Sequence, residues 1–297
     1  MLKELIQSIR AQDFPQDKVE IIVVSEGDSE SAKAIGISRA KGKICVMLCA
    51  DNYFCEPSLF KQVHKKLKFN GACYERHYAY LEKDNSLNRY FSLFGGNDPI
   101  CYFLGKNDRQ PWVDSLSIKR GIPSYGCNGF FVNREWFKFT DLNHYYPMDA
   151  HVDMIKHGLT YCQLNQGTVW HRTSDNLLTF MRKRYKYVRD LYCERQDRRW
   201  KVISGLKDYG RLVLFILCVL TVIPLLVTSC RGYRKIRDTA WFWHYPVCAA
   251  FLGTYGALSV RWLLSVLSSP LLDALNPTRK LKKVSINSRT KILKLSK

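Results

Sequence analysis

Acidic residues are scarce in this sequence. The 297 residues include 26 Asp and Glu against 46 Lys and Arg, a formal net charge of +20. Such an excess indicates an anionic partner: nucleic acid, an anionic membrane surface or a phosphorylated substrate. The basic residues are densest between 172 and 211 and again after Arg279, on either side of the most hydrophobic part of the chain. We therefore expect membrane lipids, and no nucleic acid, as the anionic partner.

The sequence also lacks any Cys-x-x-Cys pair, although it contains 11 cysteines. This excludes the common zinc-ribbon spacing, and the odd, scattered set argues against a disulfide scaffold. Cys45, Cys218 and Cys248 lie inside apolar runs, where cysteine behaves as a small hydrophobic residue. A reducing compartment is expected.

Charge is absent from two long stretches near the C-terminus. Residues 212–230 read LVLFILCVLTVIPLLVTSC, and a second uncharged run covers 239–260, with Trp241, Trp243 and Tyr245 near its start. Each run has about the length needed to cross a bilayer, and aromatic residues are typical of membrane interfaces. Two membrane helices are predicted within a membrane region at 206–270.

The tail at 271–297 places eight Lys or Arg after Asp273 and no acidic residue, which predicts a cytosolic location. No secretory signal pattern precedes the first predicted helix, so a C-terminally anchored or multi-pass cell-membrane protein with a cytosolic N-terminal domain is expected. Two crossings would place the basic residues 231–237 outside. A run that re-enters near Pro224 therefore remains an alternative.

No internal repeat interrupts the first 170 residues, where short apolar runs alternate with helical patterns, as is typical of an α/β domain. The patterns predict helices at 2–9, 32–40, 58–67 and 149–158, and strands at 19–24, 44–48, 130–132 and 168–171. Acidic turns follow the first two strands: Glu26 and Asp28 after one, Asp51 after the other. Since ligands bind at the carboxyl ends of strands in open α/β sheets, this βαβ unit predicts a site there.

Five segments in order resemble inverting family 2 glycosyltransferases of the GT-A fold, over about residues 2–200. They are LIQSIRAQDFPQDKVEIIVVSEGDSES, GISRAKGKICVMLCADN, IPSYGCNGFFVNREW, MDAHVDMIKHG and VWHRTSDN. The resemblance implies a mixed α/β sheet with flanking helices at 1–205 and hexosyl transfer from a nucleotide-diphosphate sugar. The acceptor would be a cell-envelope glycan or a lipid-linked molecule, as in polysaccharide biosynthesis.

The same resemblance implies roles for particular residues. Asp51 and His171 would hold Mg²⁺ or Mn²⁺, which neutralises the departing diphosphate. Asp149 would be the general base, with Asp153 one turn later as its reserve. The further residues that it implies are Glu26, Asp28 and Asn52 at the donor, and Gly126, Asn128 and Gly129 in an acceptor-side loop.

Gln196 to Trp200 match the Gln-x-x-Arg-Trp pattern of processive membrane glycosyltransferases, which makes Arg199 and Trp200 further donor-site candidates. Most cations of the preceding stretch, including Arg182, Lys183 and Arg184, are assigned instead to an interfacial helix on anionic lipid.

Each site residue also has an ordinary structural interpretation. Asp51 and Asp149 could be a turn residue and a helix cap, Asp153 and the acidic turn after residue 24 could be solvated, and His171 could be structural.

Two departures from the family pattern stand out. Cys49 replaces the first aspartate of Asp-x-Asp, and the family's first strand and its Pro-x-Tyr-Asn loop are missing, so an N-terminal truncation is expected. They favour a second hypothesis, a non-catalytic membrane-anchored partner that has lost donor binding.

Overall fold

The computed structural model describes residues 1–74, 78–106, 112–113, 129–164, 167–190, 198–199, 203 and 205–275, with side chains as far as residue 264. An N-terminal mixed α/β part is followed by a helical C-terminal part. The helices are α1 (Leu2–Arg10), α2 (Ser29–Arg39), α3 (Leu59–Lys66), α4 (Ser86–Phe94), α5 (Pro99–Phe103), α6 (Pro147–Lys156), α7 (Leu177–Val188), α8 (Leu206–Thr221), α9 (Ile223–Lys235) and α10 (His244–Leu275).

The strands are β1 (Ile44–Met47), β2 (Asn52–Phe54), β3 (Ala72–Tyr74), β4 (Trp112–Val113), β5 (Phe130–Asn133), β6 (Tyr161–Gln163) and β7 (Val169–His171). Short 3₁₀ helices lie at Gln16–Lys18, Arg134–Phe139 and Thr239–Trp243. The predicted helices correspond to α1, α2, α3 and α6, and three of the four predicted strands correspond to β1, β5 and β7.

Five strands form a mixed sheet in the order β1-β5-β3-β6-β4. Strands β3 and β6 are parallel, and the other neighbours are antiparallel. Strands β2 and β7 form a separate antiparallel pair. A mixed α/β sheet is therefore confirmed, in a less parallel arrangement than a βαβ unit predicts.

The predicted strand at 19–24 is wrong. These residues are exposed or half-buried and belong to no strand, and β1 lies at the end of the sheet rather than inside it. An apolar run shows that a segment is suited to a strand, but a strand also needs a neighbour with its hydrogen-bonding edge in register. Strand β1 uses one edge for β5, and no described strand pairs with its other edge. The βαβ unit is thus replaced by an extended segment beside α2.

The sheet separates two apolar layers because successive side chains of a strand point to opposite faces. On one face Cys45 and Met47 pack with residues of α2 and α6. On the other, Cys73 and Phe131 pack with residues of α1 and α3. Because helices cover both faces of the sheet, the loops that follow the strands lie at its edges, where a ligand can reach them.

The first uncharged run does not form one straight helix. Helices α8 and α9 meet at Val222 with a bend of 84°, and Val222 has a φ of 62°. Pro224 lies in the first turn of α9, where its ring cannot continue the hydrogen bonding of α8. The second run lies in a continuous helical stretch, Thr239–Leu264, which is long and apolar enough to cross a membrane.

Candidate functional site

The candidate site lies where strands β1, β3 and β6 end. Met47 and Tyr74 both pair with Phe130, the first residue of β5, and Tyr74 also pairs with Gln163. Three strands therefore end at the edge where β5 begins. Tyr145 donates its hydroxyl hydrogen to Met47 Sδ at 2.9 Å, which brings the entry to α6 to the same edge.

Asp51 lies just beyond β1, and the ladder of β2 with β7 brings His171 to it. Asn52 pairs with His171, and the amide of Arg172 donates to the Asp51 carbonyl at 2.9 Å. Asp51 Oδ1 lies 3.6 Å from His171 Nε2, too far for a hydrogen bond. Among the residues described, this buried oxygen has no hydrogen-bond partner. The structure thus brings together the two residues that the sequence places 120 positions apart.

The imidazole of His171 is held by its other nitrogen and by its ring face. Its Nδ1 lies 3.3 Å from Thr173 Oγ1, and the Tyr78 ring lies 4.7 Å away between centroids. Such support orients the ring and leaves Nε2 facing Asp51, as for a metal-ligating histidine.

The Asp51 carboxylate is stabilised in its charged form. Burial alone would raise its pKa, but the facing His171 imidazole and the positive charge of Lys183 hold the pKa below its ordinary value. Asp51 therefore carries a negative charge through the physiological range.

Asn52 closes the turn that presents Asp51. Its Oδ1 accepts from the Cys49 amide at 2.9 Å, and its own amide donates to the Cys49 carbonyl at 3.1 Å. Burial, only partly opposed by Lys33, raises the pKa of the Cys49 thiol, so the cysteine remains neutral. A neutral thiol does not replace the charged oxygen ligand that an aspartate would supply.

Asp149 and Asp153 are joined by Arg199. The Arg199 amide donates to Asp149 Oδ2 at 2.9 Å, its Nε lies 3.8 Å from the same oxygen, and its Nη2 pairs with Asp153 Oδ2. Asp149 is almost completely buried in the first turn of α6. The predicted base and the predicted Gln-x-x-Arg-Trp arginine, assigned from separate motifs, are thus in direct contact.

The first turn of α2 adds residues that the sequence analysis did not select. Glu30 is buried and forms an ion pair with Lys33 at 3.2 Å. The charge of Lys33 lowers the pKa of both the Cys49 thiol and the His151 imidazole. Asp28 caps α2, accepting from the amides of Glu30 and Ser31 at 2.9 Å, and Glu26 is half-buried. The i, i+3 spacing of Glu30 and Lys33 is the signal that could have identified this pair.

His151 is a second residue that the sequence analysis passed over. Its ring packs on Phe130 at 3.9 Å and lies parallel to Tyr161. Complete burial lowers the pKa of His151 to about 3, so the ring is neutral at physiological pH. His151 therefore packs between α6 and strands β5 and β6 of the sheet.

The basic stretch before residue 190 divides into different roles. Lys183 acts on Asp51, and Arg184 forms an ion pair with Asp98 and donates to the Tyr255 hydroxyl at 2.9 Å. Arg184 therefore faces protein groups, although most of this stretch was expected to face lipid, whereas Lys183 is exposed. A helical cation pattern does not show which face another helix covers.

The acceptor-side loop is described only at Gly129, which is buried with a φ of 74° directly before β5. Gly126, Asn128 and Trp200 lie outside the described residues.

Asp51 and His171 suit a divalent cation. The 3.6 Å between their ligand atoms is compatible with two ligands of one ion, and the unpartnered buried oxygen is a suitable donor. No cluster of three or more His, Cys, Asp or Glu ligands occurs in the described parts of the chain. Two protein ligands are typical of Mg²⁺ sites in which water and substrate phosphates complete the coordination.

No protein-family model matches the chain, and no curated protein matches it. Among solved structures it is similar to crystal structures of S. aureus TarS residues 1–349. The TarS structure alone has 9% identity and a TM-score of 0.38, covering 84% of this chain and 86% of that one. The TarS complex with UDP has 11% identity and a TM-score of 0.39, covering 84% of this chain and 86% of that one. The complex with UDP-GlcNAc has 10% identity and a TM-score of 0.38, covering 83% of this chain and 75% of that one.

Proposed function

We propose that this protein transfers a sugar, with inversion, from a nucleotide-diphosphate donor to a cell-envelope glycan or lipid-linked acceptor. The observation that carries the proposal is the pairing of Asp51 with His171 at the carboxyl edge of the sheet. A buried carboxylate oxygen without a hydrogen-bond partner is costly unless a ligand satisfies it.

In this proposal Asp51 and His171 hold Mg²⁺ or Mn²⁺, which would supply charge neutralisation for the departing diphosphate. Lys33 and Lys183 lie close enough to this edge for their charges to act on Cys49 and Asp51, respectively. They add positive charge at the position proposed for the diphosphate. The Asn52 turn holds the Asp51 backbone, so the carboxylate is preorganised.

Asp149 is the proposed general base, with Asp153 as its reserve, and Arg199 is the group that controls both. A carboxylate paired with arginine is a weaker base, so acceptor binding would have to draw Arg199 away before Asp149 takes a proton. Glu26 is proposed to face the nucleoside. The catalytic part would lie on the cytosolic side of the cell membrane.

Calorimetric titration of UDP-GlcNAc and UDP, with and without Mn²⁺, tests the donor site directly. The unsubstituted protein should bind UDP with an affinity that increases with Mn²⁺, and Asp51→Ala and His171→Ala should lower that affinity at least tenfold. Asp175→Ala is the matched control, since this exposed acid lies four residues beyond His171 and pairs only with Arg172. Metal-independent binding, or equal effects of all three substitutions, would contradict the proposed roles.

A non-catalytic partner protein is the second candidate. It is favoured by Cys49 at the first position of the Asp-x-Asp pattern and by the engagement of Asp149 with Arg199. This candidate predicts no UDP-GlcNAc or UDP binding at millimolar nucleotide and no release of UDP. Restoring the acid with Cys49→Asp should then create Mn²⁺-dependent binding, whereas in an active enzyme it should change affinity by less than a few fold.

A further inference from the structure

The start of α8 is fastened to the α/β part of the molecule. Lys106 Nζ lies 2.5 Å from Asp208 Oδ2, and both side chains are at most one-tenth exposed. The guanidinium of Arg211 donates to the Leu104 carbonyl one turn later. Both partners belong to the segment that ends α5, so the first turns of α8 lie against it.

The end of α9 is fastened to the same part of the molecule. Asp238, three residues beyond α9, accepts from Arg89 Nε at 2.8 Å and from the Tyr80 hydroxyl at 2.7 Å. Arg89 belongs to α4. The two ends of the bent pair α8–α9 are therefore held by neighbouring helices of one folded body.

A helix pair that crosses a bilayer leaves its two ends on opposite faces, separated by about 30 Å of hydrocarbon. Ends that are ion-paired to the same body lie on the same face. The 84° bend at Val222 makes this possible, because it turns α9 out of the direction of α8.

The bend itself exposes large apolar side chains. Leu217, Leu220, Ile223 and Leu226 are 44–69% exposed. Exposed cations lie at the two ends of the pair, at Lys207, Arg231, Arg234 and Lys235. Apolar side chains exposed along α8 and at the bend, with cations at the two ends of the pair, match the acyl chains and anionic headgroups of one leaflet.

Helix α10, although long and apolar enough to span a membrane, lies along α7. The Tyr255 hydroxyl donates to Asp98 at 3.0 Å, and Arg261 Nη1 donates to the Tyr185 hydroxyl at 3.4 Å. Near its start, His244 Nδ1 lies 2.8 Å from the Tyr90 hydroxyl. From 244 to 261 the helix advances about 26 Å, first beside α4 and then beside α7, whose cations are costly in hydrocarbon.

We infer that residues 206–264 bind one leaflet of an anionic bilayer from a single side, with the α8–α9 bend inserted and no helix crossing. The basic residues around 207–211 and around 231–237 then lie on one side, as the distribution of positive charge favours. This inference does not depend on sugar transfer.

Labelling in sealed membrane vesicles of both orientations tests the sidedness. Lys207→Cys and Lys235→Cys, each in a Cys230→Ser background, are treated with a membrane-impermeant maleimide, and Phe69→Cys marks the α/β part because Phe69 is 84% exposed. We expect all three positions to label from the same side. Labelling of positions 207 and 235 from opposite sides would overturn the inference.

Flotation of the full chain with vesicles of phosphatidylglycerol and phosphatidylcholine tests the inserted bend. Ile223→Glu at the tip should lower the bound fraction at least tenfold, whereas Leu206→Glu, the same change at the base of α8, should lower it less than threefold. Both side chains are largely exposed, so neither substitution disturbs the core. Equal losses, or a tip that instead mediates self-association without lipid, would contradict membrane insertion.

Discussion

Two carboxylates at one edge of the sheet have opposite environments. Asp149 is buried, accepts a hydrogen bond from the Arg199 backbone amide and forms an ion pair with the Arg199 guanidinium, whose Nε lies 3.8 Å from the same oxygen. Asp51 keeps a buried oxygen without a described hydrogen-bond partner, facing His171 at a distance too long for a hydrogen bond. The first arrangement stabilises the fold, whereas the second retains an unsatisfied group that a bound cation would satisfy. The contrast distinguishes Asp149, whose carboxylate is bound within the fold, from Asp51, whose carboxylate oxygen is available to a ligand.

The largest expected effect is on stability at Asp149. Asp149→Ala should lower the free energy of unfolding by about 3 kcal/mol, because it removes a buried acceptor and leaves the Arg199 backbone amide unpaired, although the guanidinium still pairs with Asp153. Asp51→Ala should change it by less than about 1 kcal/mol, because the cost of burying this carboxylate opposes the stabilisation that it gains from His171 and Lys183. Urea unfolding of the two variants and the unsubstituted protein, all in one detergent, measures the difference. Equal losses would show that Asp51 is as structural as Asp149.

Acid should weaken the packing between α6 and the sheet through His151. Its pKa is about 3 in the folded protein against an ordinary 6.5, so the unfolded chain takes up the proton first. Stability is therefore complete above pH 6.5 and decreases as the pH falls towards 3, by about 2–3 kcal/mol at pH 4.5. Urea midpoints between pH 4.5 and 7.5 measure this decrease. His151→Leu should flatten that part of the profile, and an unchanged slope would exclude His151 as its source.

A smaller effect is expected from the bridge between Asp149 and Asp153. Arg199→Lys keeps one charge but cannot reach both carboxylates with a planar fork, and should cost about 1 kcal/mol. The backbone amide bond to Asp149 persists in this variant. If acceptor binding displaces Arg199, the variant should also show a higher pH for half-maximal UDP release, because a carboxylate with a weaker arginine pair takes up its proton more readily. An unchanged pH profile would contradict that role.

The smallest effect separates capping from donor binding at Asp28. Asp28→Ala should lower stability by about 1 kcal/mol, and Asp28→Ser should restore it, because serine also caps helices well. UDP-GlcNAc affinity in the serine variant should stay within twofold. A larger loss, at restored stability, would identify Asp28 as a donor contact in addition to its role as a cap.

Much of the local structure could be predicted because it depends on short-range patterns. Helices α1, α2, α3 and α6 follow from apolar periodicity, and β1, β5 and β7 from short apolar runs. The strand at 19–24 failed because pairing is a property of two segments, and the run of apolar residues carries no information on its partner. The only feature of the sequence that indicated the bend at Val222 was Pro224.

The sequence by itself determined helices α1, α2, α3 and α6, strands β1, β5 and β7, and the residue types available at the strand ends, since these depend on composition and spacing along the chain. It also placed Asp51, Asp149, His171 and Arg199 among the candidates. Only the tertiary structure decided that Asp51 faces His171 while Asp149 is held by Arg199, and that both ends of α8–α9 are fastened to one body. Those relations join residues 50 to 149 positions apart, where chain geometry rather than local preference determines which side chains meet.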